Sequence, residues 1–110
     1  NMIADGSITA HRCRLSGLLS EPASARRVAA AYMAAIGDGF GEANLHRAAM
    51  DLGMPAVLSP MHRIPGAAAS RAWLGVRIRA DFEEGAVVDV DGWRLSRTEV
   101  GVCLLVAGAA

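Results

Sequence analysis

Lysine is absent from this 110-residue chain; all eleven basic residues are arginine. Eleven acidic residues balance them, leaving a formal net charge of zero. That balance removes the basic field on which sequence-independent nucleic-acid binding depends, so no nucleic-acid partner is expected. It also leaves no net repulsion between copies, which favours self-association. Cysteine is scarce: Cys13 and Cys103 stand far apart and neither belongs to a Cys-x-x-Cys pair, which excludes a disulfide framework. Both read as small buried hydrophobes, with one disulfide tying the two ends as the open alternative. No apolar run is long enough to span a bilayer, and no secretory signal is visible, so a cytoplasmic location is the expectation.

The common catalytic signatures are missing too. There is no Gly-x-Ser-x-Gly elbow, and without lysine no Ser-x-x-Lys pair. Gly37-Asp38-Gly39-Phe40-Gly41 is rich in glycine but lacks the lysine and the preceding strand of a phosphate loop. It reads as a helix–helix linker.

What the chain does have is apolar residues, 53% of the total, with a mean hydropathy of +0.29. Much of this is alanine, which adds little burial per residue. The remainder suggests apolar surface left over for a partner. Abundant alanine and glycine beside an all-arginine basic set fits a GC-rich bacterial genome. Arginine forks for carboxylate or phosphate are the functional alternative.

The organisation is that of one domain. Residues 1–6 read as a loose terminus. A helix is expected at 8–19, capped by Ser7, with a strand over 8–15 as its rival. Alanine-rich residues 22–36 form the clearest helix, opened by Pro22 in the first turn, where its missing N–H would be unpaired anyway. A third helix runs from about 41 to 52, stopped by Gly53. The short glycine-rich link predicts that these two helices pair antiparallel. Residues 54–66 carry Pro55, Pro60 and Pro65 and are expected to be an ordered loop, with Ser59-Pro60 able to open one short turn. Residues 67–72 favour a helical or turn-like start, but Val76, Ile78, Ala80 and Phe82 alternate with Arg77, Arg79 and Asp81, which predicts that it becomes a strand over 73–80. Residues 86–90 and 93–96 flank Asp91-Gly92, the strongest short hairpin signal, so a three-stranded antiparallel sheet is expected. Ser96 and Glu99 have capping-box spacing and favour a helix over 97–107; Val100-Gly101-Val102 and the run Cys103-Leu104-Leu105-Val106 leave a buried strand as the alternative.

Candidate chemistry is thin. His11 and Cys13 would share a face only on a strand, and His46 and His62 have no helical i,i+4 partner, so no metal site is assigned. His62 and Arg63, framed by Pro60 and Pro65, suit an anionic group. Arg77 and Arg79, on one side of the expected strand, would place two forks about 7 Å apart. Asp89 and Asp91 lack the remaining ligands of a calcium loop, and Asp91 reads as a turn residue. Trp73 and Trp93 are core or interface anchors. Met33, Met50, Met54 and Met61 are core residues or the lining of an adaptable groove.

Residues 44–54, Asn-Leu-His-Arg-Ala-Ala-Met-Asp-Leu-Gly-Met, resemble the central helix of flavin-dependent nitroreductases. The chain lacks that family's arginine-rich opening and is too short for its fold, so no function or cofactor is carried over.

The expectation is an α+β domain: a helical half over 7–53, the proline-rich loop over 54–66, then a short antiparallel sheet with a β-hairpin and a C-terminal helix over 67–110. Its expected role is that of a non-enzymatic binding or assembly module that self-associates, partnered by protein through Trp73 or Trp93. The alternative is a protein or enzyme acting on an anionic small molecule through His62, Arg63, Arg77 and Arg79.

Overall fold

The computed structural model describes residues 22–109. The helix expected over 8–19 and the His11/Cys13 pair lie outside them. Helices α1 (Pro22–Ile36) and α2 (Glu42–Asp51) are followed by a one-turn α3 (Met54–Leu58), a 3-10 turn (Ser59–Arg63) and the 18-residue α4 (Ala67–Glu84). A hairpin of β1 (Val87–Val90) and β2 (Trp93–Ser96) then leads directly into α5 (Arg97–Ala109). The fold is α+β, mostly helical, with one two-stranded antiparallel sheet.

The organising element is α5. Val100, Gly101, Val102 and the run Leu104 to Ala107 are all buried, so this helix is enclosed on nearly every side. A helix apolar all round belongs in a core, which is why its pattern carried no amphipathic signal and a buried strand was an alternative. Helices α1 and α2 make their most extensive packing against α5 rather than against each other. The direct contact between α1 and α2, expected from their short link as an antiparallel pair, is slight beside the packing of each on α5. Ala25, Ala29 and Met33 of α1, and Leu45, Ala48 and Ala49 of α2, are the buried stripes turned to this common core. Burying Val100, Leu104 and Leu105 stabilises the fold by about 2 kcal/mol each.

Two further expectations change. Residues 54–66 are not a loop throughout: Pro55 stands in the first turn of α3, where a proline costs no hydrogen bond, and Pro60 lies within the 3-10 turn. Residues 73–80 are not a strand but the middle of α4, so the sheet has two strands instead of three. The alternation that suggested a strand is coincidental. The face of α4 turned inward is Ser70, Leu74 and Asp81, at helical spacing, and two of the three are polar. A hydrophobic-periodicity argument cannot see a core face built of serine and aspartate.

Those polar residues have partners. Ser70 Oγ donates to Gly66 O at 2.9 Å. Asp81, 1% exposed, accepts the Thr98 backbone N–H at Oδ2 (2.8 Å) and faces Arg77 across 3.4 Å at Oδ1. Gly85, in the left-handed region at φ 75, ends α4, and Ala86 N–H turns back to Asp81 O at 2.7 Å. The start of α5 is thus held by α4. Glu99 N–H donates to Ser96 Oγ and Ser96 N–H to Glu99 Oε1, both at 2.9 Å, forming the expected capping box. Arg97 N–H donates to Ala86 O at 3.0 Å.

Replacing Asp81 by alanine would leave the Thr98 N–H buried without its acceptor; the expected loss is about 3 kcal/mol in urea unfolding followed by circular dichroism. Asp81→Asn keeps an acceptor oxygen and is expected to lose distinctly less. Gly101 meets Met54 so closely that an added Cβ would lie 2.6 Å from Met54 Cγ and closer still to Sδ. Gly101→Ala should therefore destabilise by about 1 kcal/mol net, overpacking outweighing the gain in helix propensity. In a Met54→Ala background, the same change should become stabilising.

Candidate functional site

The hairpin carries the most exposed large apolar side chain among those described. Asp91 and Gly92 take positive φ values of 51 and 81, as a two-residue type I′ turn requires, and set the register Val90↔Trp93, Val88↔Leu95. Residues paired across the strands share a face, so Val88, Val90, Trp93 and Leu95 all project to the inner side of the sheet. Asp89 and Arg94 take the outer side and form a cross-strand ion pair at 3.1 Å. Val90 is 3% exposed, whereas Trp93, directly opposite it, is 70% exposed. The indole overhangs the end of the sheet instead of entering the core.

Beside it lies an open groove of about 490 Å³ between the hairpin and α1. One wall is Ser24, Arg27, Val28 and Ala31 of α1, the face adjoining its buried alanine stripe. The other is Val90, Asp91, Trp93 and Leu95. The lining is mostly apolar, and the volume falls within the range of roughly 300–1,000 Å³ that accommodates ligand groups. Charge is confined to Arg27 on one wall and Asp91 on the other; Arg27 also donates to Ser24 Oγ at 3.3 Å. An aromatic and an arginine flanking an apolar groove are the residue types that concentrate binding energy in protein interfaces. Sequence reasoning singled out Trp93 but missed Arg27, Val28 and Ala31. Nothing local marks them, because the groove exists only where α1 meets the hairpin.

The other expected site residues are dispersed in character. Trp73 is half-buried and packs against the core cluster, as an anchor rather than an exposed contact. Arg77 and Arg79 do not form a fork: on a helix, two residues apart means about 200° around the axis. Arg77 is engaged by Asp81, while Arg79 is exposed. His62 and Arg63 belong to the 3-10 turn, where Arg63 is exposed; the His62 side chain lies outside the described set. Met33 and Met54 are core residues and Met50 packs against that core.

Among the described residues, no cluster of three or more histidine, cysteine, aspartate or glutamate side chains is placed to hold a metal ion. No helix among them is long and apolar enough to cross a membrane. Cys103 is a free, half-buried thiol. Burial, and secondarily the Glu99 carboxylate, push it up to about 11, which keeps it protonated and unreactive at neutral pH.

Peptide mapping after iodoacetamide treatment at pH 7.5 should find Cys103 alkylated far more slowly in the folded protein than in urea. Because the folded thiol holds its proton more tightly than the ordinary value of 9.0, its contribution to stability is complete below pH 9 and lost as pH rises toward 11. Urea midpoints of the wild type should therefore fall more steeply over that window than those of Cys103→Ala.

The chain has no significant match to any family model, curated protein or solved structure.

Proposed function

We propose that this chain is a small bacterial protein-binding or assembly module that associates with itself and has no catalytic role. The observation that carries this reading is the 70% exposure of Trp93 beside an apolar groove. Exposing an indole to water is unfavourable by the free energy its burial would release, about 2–3 kcal/mol for a large apolar side chain. The type I′ turn fixes the backbone at that position, so little backbone freedom is left to lose on contact. The zero net charge supports association between copies, and the high apolar content supports a surface with area to spare.

The anionic-ligand reading has less behind it. Two of its four residues, Arg77 and Arg79, were paired by a strand geometry that α4 replaces, and Arg77 is occupied by Asp81.

Light scattering coupled to gel filtration should show a mass above that of one chain, rising with concentration. Trp93→Ala, a substitution outside the core, should leave the circular dichroism spectrum unchanged and weaken association about tenfold or more. Iodide quenching gives a second readout: Trp93 should be the accessible tryptophan in dilute solution and become protected as concentration rises, with Trp73 shielded throughout. A chain that stays monomeric at high micromolar concentration would sink the self-association.

A further inference from the structure

The groove between α1 and the hairpin is complementary to itself, and we infer that its occupant is the Trp93 indole of a second copy of this chain in a two-fold symmetric dimer. This rests on the self-associating reading above and names the geometry of the contact. Symmetric pairs use one patch on both subunits, so that residue i meets residue j and j meets i. A two-fold axis running along the groove lays α1 of each copy over the hairpin of the other. Trp93, on the hairpin wall, then faces Val28 and Ala31 on the α1 wall of the second copy.

Charge complementarity favours a second copy over a foreign partner. Arg27 stands on the α1 wall and Asp91 on the hairpin wall. The same symmetry sets Arg27 of each copy opposite Asp91 of the other, giving two equivalent attractive pairs at the rim around two buried indoles. A rim of a single sign would have opposed self-docking; this one carries one charge of each sign, one per wall. The groove volume of about 490 Å³ leaves room for an indole to enter. Each aromatic so placed would bury roughly 150–250 Å².

The test is a charge exchange read by sedimentation equilibrium and native mass spectrometry on the full chain. Arg27→Asp alone places two aspartates opposite each other twice over, and Asp91→Arg does the same with arginines. Each is expected to weaken the dimer about tenfold or more. Mixing the two variants should restore association as a heterodimer, because both rim pairs then join aspartate to arginine. The double variant should dimerise with itself. Asp91 occupies a positive φ that arginine tolerates poorly, so Asp91→Asn serves as a second probe. It should weaken the wild-type dimer modestly, yet strengthen association in the Arg27→Asp background by removing the repulsion.

Dimers that persist unchanged in Arg27→Asp, with statistical mixing of the two variants, would overturn this geometry while leaving self-association through another face intact. A monomeric wild type would overturn both the geometry and the self-association.

Discussion

A helix buried on nearly every side has little water to satisfy its first four backbone N–H groups, and the structure depends on how α5 does this. Its first four donors find four different acceptors. Ser96 N–H goes to the Glu99 carboxylate, Arg97 N–H to the Ala86 carbonyl, Thr98 N–H to the Asp81 carboxylate, and Glu99 N–H to the Ser96 hydroxyl. Two of these acceptors are carboxylates, which the positive end of a helix dipole favours. The four contacts draw together the end of α4, the residue that follows its terminal glycine, the last residue of β2, and α5 itself. Removing the Asp81 acceptor would leave the Thr98 donor buried and unpaired, which costs more than the hydrogen bond is worth when present.

That knot also explains why the hairpin sits where it does. β2 runs without a linker into α5, so the direction of the sheet is set by the capped end of the helix. The type I′ turn at Asp91-Gly92 then delivers Trp93 to the sheet end nearest α1. Core satisfaction and surface presentation are one chain of consequences. The buried cap orients the hairpin, the hairpin orients the indole, and the indole overhangs a groove whose far wall is α1. With α1 packed on α5 through alanines, its neighbouring face of Ser24, Arg27, Val28 and Ala31 is left to line that groove.

Several elements were legible because their signals are local. The Asp-Gly hairpin, the Ser96/Glu99 capping box, the Gly53 stop and the alanine-rich α1 each depend on residues a few positions apart. The strand expected over 73–80 failed because its alternation competed with a helical face whose inward residues are Ser70 and Asp81. A polar core face has no hydrophobic period; its identity as core comes from partners elsewhere in the chain. The expected Arg77/Arg79 fork failed with it. At the candidate site, Trp93 stood out as an aromatic next to a turn. Its opposite wall was invisible, because α1 lies about sixty positions earlier in the chain.

The sequence alone determined the turn, the caps and the absence of familiar catalytic or nucleic-acid-binding equipment. Each of these is a matter of which residue types stand within a few positions of one another, or are missing altogether. Only the tertiary structure decided that residues 97–109 form the buried axis, that Asp81 caps a helix sixteen residues after it, and that Trp93 faces α1 across a groove. The reason is physical. Burial and hydrogen-bond satisfaction depend on what surrounds a residue in space, and for α5, Asp81 and Trp93 those surroundings come from distant parts of the chain.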